Sequence, residues 1–190
     1  METLFGTPIL CPVLIGRGAE LTALRLLVDR ARSGKGQLVL LSGEAGIGKS
    51  RLVAEAKTYA TAQGFLLLQG QCFPTDRSCP YAPLLDLLRS HLATSSREQV
   101  DTEMGSLASA LSPLLLDLLP LPSDLPSLPP LDSEHEKRRL FAALAHLFLR
   151  QATKQPALLI VEDLHWSDET SLEFLHYLAR RCTASPCLSC

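Results

Sequence analysis

The chain has 190 residues and a mass of 20.7 kDa, with 46% hydrophobic and 20% charged residues. That suits one ordinary folded domain, with or without an appendage, and excludes a collagenous or globally disordered chain. Lys and Arg number 18 against 20 Asp and Glu, a net charge of −2; no basic excess exists to neutralise phosphates, so direct nucleic-acid binding by this segment is not expected.

Residues 1–12 read as an N-terminal extension without the positive start and long apolar core of a signal peptide. No apolar run approaches the roughly 18 residues of a membrane span. The expectation is a cytoplasmic chain with no membrane contact. Leu21, Leu24, Leu27, Val28 and Ala31 recur at helical spacing. Ser33 to Gly36 break that pattern, and Gln37 to Ser42 read as a short buried strand. A glycine-rich turn leads into a helix over about 49–63, with Leu52, Val53, Ala56 and Ala60 on one face and Gly64 at its end. Phe65 to Gln69 form a second apolar strand. Strand, glycine loop, helix, strand is a βαβ unit, so the fold class is α/β with a parallel sheet flanked by helices.

Cys72 to Pro83 read as a loop, and a helix starts near Tyr81 and runs to Leu92. From about Ser95 the charges thin out, and six prolines fall between Pro113 and Pro130. This stretch reads as weak helix followed by an extended connector over about 112–131. Asp132 and Ser133 can cap a helix to about Thr153 with Leu140, Phe141, Leu144, Leu147 and Phe148 as its stripe. Ala157 to Val161 are a third buried strand, ending in Glu162-Asp163. Ser167 or Asp168 then caps a helix to about Arg181 with Leu172, Leu175 and Leu178 inside. The six cysteines (Cys11, Cys72, Cys79, Cys182, Cys187 and Cys190) lack the paired spacing of a zinc site and read as thiols.

The chemistry concentrates in two places. Gly43-Glu44-Ala45-Gly46-Ile47-Gly48-Lys49-Ser50 has the spacing G-x-x-x-x-G-K-S/T. Glycines let such a loop curl so that its amides point inward as an anion nest, and the helix that follows offers its free amides and positive dipole end. Lys49 supplies a charge for the β- and γ-phosphates, and Ser50 a hydroxyl for Mg²⁺. Arg51 stands next on that helix. The second place is the acidic end of the third strand. A carboxylate at the C-terminal edge of a parallel sheet lies where α/β sheets bind ligands. By position Glu162 is the Mg²⁺ ligand and Asp163 the base that polarises a water, although the two roles can be exchanged.

These strings resemble a known family. Leu14 to Leu21, with Gly16-Arg17 and Glu20, resemble the entry box of STAND-type AAA ATPases, and Leu41 to Leu52 resemble their phosphate loop. Val161-Glu162-Asp163-Leu164-His165-Trp166-Ser167-Asp168 with Ser171-Leu172 resembles a segment of the ATPase module in LuxR-family (MalT-like) transcriptional regulators and some bacterial adenylate cyclases. Cys79 to Leu84 fit their Pro-Tyr-x-Pro segment. The likeness covers roughly residues 13 to 188 and implies a P-loop NTPase domain over 13–182 using ATP and Mg²⁺. It implies a nucleotide switch that reports to output domains of a longer parent, or by self-association. It places Gly16 and Arg17 near adenine and His165 and Trp166 beside the nucleotide. Packing is the alternative for His165 and Trp166, a solvated helix start for Arg17 and Glu20, and an N-cap for Asp168.

The resemblance also implies strand order 5-1-4-3-2. Residues 183–190 read as a truncated tail where strand 4 begins, so the expectation is an incomplete sheet with exposed edges and ATP binding without efficient hydrolysis. The competing readings are a non-catalytic interaction module and, last, a small-molecule kinase.

Overall fold

The computed structural model describes residues 16–95, 107–115, 133–182 and 187–189. The N-terminal extension 1–12 and connector residues 116–132 lie outside them. In chain order the elements are α1 (Gly18–Arg32), β1 (Gln37–Leu38), α2 (Lys49–Ala62), β2 (Leu66–Gln71), α3 (Ala82–Thr94), α4 (Ala108–Leu115), α5 (Ser133–Lys154), β3 (Ala157–Glu162), α6 (Glu169–Cys182) and β4 (Cys187–Ser189). Short 3₁₀ turns over Pro74–Ser78 and Leu164–Trp166 follow β2 and β3.

The sheet is four-stranded and parallel in the order β1-β4-β3-β2. β4 lies between the strand before the phosphate loop and the acidic strand, where the resemblance puts strand 4. The start of strand 4 is there as expected: three residues of β4 pair with β1 on one side and β3 on the other. β1 is shorter than the sequence suggests, because only Gln37 and Leu38 find partners on so short a neighbour.

Strand parity builds the core on both faces. Ala157, Leu159 and Val161 of β3 pack with Leu68 against α3, α4, α5 and α6, around Phe148 and Phe174. Leu158 and Ile160 point the other way, with Phe65, onto Val28 and Ala31 of α1 and Ala60 of α2. Leu24, Leu52 and Ala56 close the α1–α2 seam. Where β2 meets α3, Gly70 is required: a Cβ there would stand 2.6 Å from the Pro83 carbonyl oxygen.

Two further expectations are corrected. α4 runs through residue 113, so the extended connector does not begin at 112; burial of Leu111 and Leu114 offsets the ladder bond that a proline cannot donate. In α6 Leu175 and Leu178 pack inward as expected, but Leu172 is 42% exposed and Ser171, Phe174 and Cys182 complete the buried face.

Candidate functional site

The loop over 43–48 joins β1 to α2. Gly48 is the N-cap of α2 at φ +96° and Gly46 stands at φ +78°, backbone that an L side chain adopts only with strain. Lys49 opens the helix. Its Nζ donates to the carbonyls of Gly43 and Glu44, each at 2.8 Å, so the ammonium is folded back over the loop. Glu44, Ala45, Ile47 and Ser50 are exposed, the last with its hydroxyl one residue into the helix. Arg51 instead turns along α2 and pairs with Glu55 at 2.7 Å.

Register sets the acidic strand against this loop. Leu38, Ser189 and Leu159 are level across β1, β4 and β3. Leu38 and Leu159 are thus two strand spacings, about 10 Å, apart, and the loop after β1 and the acid that ends β3 leave the same end of the parallel sheet. Glu162 is the last residue of β3, not the first beyond it. It shares the parity of Leu158 and Ile160, so its side chain lies on the α2 face of the sheet. Asp163 follows at φ +59°, ψ +40°, a left-handed turn that Asp tolerates better than most residues and that sends the chain off the sheet. Its side chain is exposed.

Two polar contacts hold Glu162. Its carbonyl accepts the Cys72 N–H at 3.0 Å, extending the β2–β3 ladder. Its Oε1 accepts the Gln69 side-chain amide at 3.0 Å, and the Gln69 Oε1 in turn accepts Lys57 Nζ of α2 at 2.8 Å. This chain ties the helix of the phosphate loop to the acid. Sequence reasoning missed Gln69 and Lys57, although an amide late in an apolar strand is a signal of that kind.

The side chains after Asp163 make packing and capping contacts. Asp168 is buried; its Oδ1 accepts the Ser171 N–H at 2.9 Å and so caps α6, and its Oδ2 accepts the Tyr81 N–H at 3.2 Å. The alternative left open for Asp168 resolves to a cap and a cross-link. Trp166 packs against the main core, with the Arg77 guanidinium 4.7 Å from its ring centre, and Arg77 donates to the His165 carbonyl at 3.2 Å. Burial pushes the Cys72 thiol up to about 11, against the opposing hydrogen bond to Ser167. At the entry box, Gly16 stands at φ +76° and the Arg17 guanidinium reaches the phosphate loop itself, at the Ile47 carbonyl.

The donor set fits a hard cation. A hydroxyl, Ser50, and a carboxylate, Glu162, are oxygen ligands of the kind Mg²⁺ takes. No group of three or more His, Cys, Asp or Glu suited to a metal occurs among the described residues. Among the described residues no helix is long and apolar enough to cross a membrane.

Residues 13–189 match the family model of the AAA ATPase domain. An uncharacterized protein, R02095 of Rhizobium meliloti (strain 1021), is 31% identical over a 190-position alignment that covers 92% of this chain and 18% of the relative. The chain therefore spans about a fifth of that relative's length. No solved structure matches.

Proposed function

This chain belongs to the AAA ATPase domain family and carries a P-loop ATPase module; from that premise we propose that it binds Mg-ATP at Gly43–Ser50 and serves as the nucleotide switch of a STAND-type signalling protein. One observation supports this most directly: a glycine loop with left-handed Gly46 and Gly48 opens α2, and the Glu162 carboxylate lies on the same face of the sheet.

The roles follow from place. The loop amides and the α2 N-terminus receive phosphate. Lys49 exchanges its two carbonyl partners for phosphate oxygens, which carry more charge. Ser50 and Glu162 hold Mg²⁺, which when bound neutralises charge on the phosphates. Asp163, exposed and beyond the strand, takes the proton of an attacking water. The parity of Glu162 favours this division of labour over its exchange. The LuxR-type regulatory role and any output domain or self-association belong to the same proposal. Their support is the resemblance of the acidic segment and the greater length of the relative.

Calorimetric titration with ATP, with and without Mg²⁺, tests the assignment. Glu162→Gln should bind ATP without Mg²⁺ as the unaltered chain does, but lose most of the gain in affinity that Mg²⁺ confers. Asp163→Asn should keep that gain and lose any lysine-dependent phosphate release. The reverse pattern would exchange the two roles.

A further inference from the structure

We propose that Arg17 is a positioning residue that straps the phosphate loop through its backbone, rather than a reader of the adenine ring; the use of this strap in nucleotide binding rests on the reading above. Arg17 is the N-cap of α1. Its Nη2 donates to the Ile47 carbonyl at 3.1 Å, across 30 residues of chain, and its Nη1 donates to Glu20 Oε1 at 2.7 Å. Two of its nitrogens are thus engaged, one by the loop and one by its own helix.

The placement gives this bond its effect. Ile47 sits between Gly46 and Gly48, both at positive φ, the softest backbone of the loop. The Ile47 side chain is 46% exposed and does not bury the segment. What restrains residue 47 is its carbonyl. A trans peptide is planar, with C=O and N–H pointing in opposite directions. Fixing the Ile47 carbonyl toward Arg17 therefore fixes the Gly48 N–H pointing away from Arg17. Lys49 does the corresponding work at the other end by gathering the carbonyls of Gly43 and Glu44. The anchor is itself firm: Leu24 of α1 is buried with Leu52 and Ala56 of α2, so the helix that carries Arg17 and the helix that follows the loop move together. The hydrogen bond from the Arg17 guanidinium also lowers the Glu20 carboxyl, in keeping with the pairing of the two side chains.

The test is ¹⁵N relaxation on the nucleotide-free chain, with Arg17→Met beside the unaltered protein. The strap predicts that the Gly48 amide order parameter falls from the rigid range, about 0.85, to below about 0.6, while β2 and β3 stay unchanged. It also predicts that ATP and GTP affinities fall together, by about tenfold, with their ratio held within about twofold, since loop order serves any triphosphate alike. Equal Gly48 order in the two chains overturns the strap. Loss of ATP binding with GTP binding spared assigns Arg17 to the base instead. An unaltered chain that binds no nucleotide defeats the nucleotide reading, and the relaxation result then decides the strap by itself.

Discussion

At the scale of single residues, environment separates groups that look alike in sequence. Cys72 and Cys79 lie seven positions apart. Cys72 is buried, with its thiol pushed up to about 11, whereas Cys79 is exposed. A thiol with that value is about one part in a thousand thiolate at pH 8, and thiolate is the reactive form. Iodoacetamide at pH 8 followed by peptide mass mapping should label Cys79 within minutes and leave Cys72 unmodified until the fold opens. Comparable rates at the two positions would mean that β2 does not end as described. The residue scale also marks the limit of what the sequence reveals. The glycine and lysine spacing gave the loop, since that chemistry is local. Arg17 on Ile47, Gln69 on Glu162 and Asp168 on Tyr81 join residues 30, 93 and 87 positions apart. No periodicity carries such pairs; only the packing of elements brings them together.

At the scale of elements, the turn after β3 and the segment before α3 form one unit. Tyr81 sits at φ +69° as N-cap of α3, and its N–H goes to Asp168, which also caps α6. One buried carboxylate therefore starts one helix and holds the start of another. Asp168→Ala removes a cap, typically worth about 1 kcal/mol, and leaves a second N–H without its partner. The expected loss of stability is about 2 kcal/mol in urea unfolding, with ATP affinity lowered less than by Lys49→Ala. A change below about 0.5 kcal/mol would show that the cross-link is dispensable. β2, β3, α2 and α5 were legible because apolar runs and 3.6-residue stripes are set by the faces they bury. β1 and α4 were misjudged in length, because strand ends depend on neighbours and because burial of Leu111 and Leu114 holds helix across a proline. On α6 one inward residue was misassigned for a similar reason: Leu175 and Leu178 pack inward as expected, but Phe174, not Leu172, meets the rings of Phe141 and Phe148.

At the scale of the whole molecule, the parallel sheet brings two distant stretches of chain to one edge. The phosphate loop leaves β1 and the acid ends β3, and β4 between them, though three residues long, sets both in register. On the far side of β1, Leu38 and Leu40 are 61% and 74% exposed, and among the described residues no strand pairs there. Backbone groups and leucines at such an edge are open to pairing with further chain or another copy. The central claim concerns the C-terminal end of the strands, where ligand is expected. Titration of the purified chain with a fluorescent ATP analogue and Mg²⁺, beside Lys49→Ala, tests it most directly. Saturable binding that weakens at least about tenfold in Lys49→Ala is the predicted result. Folded chain that binds no nucleotide, or that binds equally well without the lysine, would contradict it.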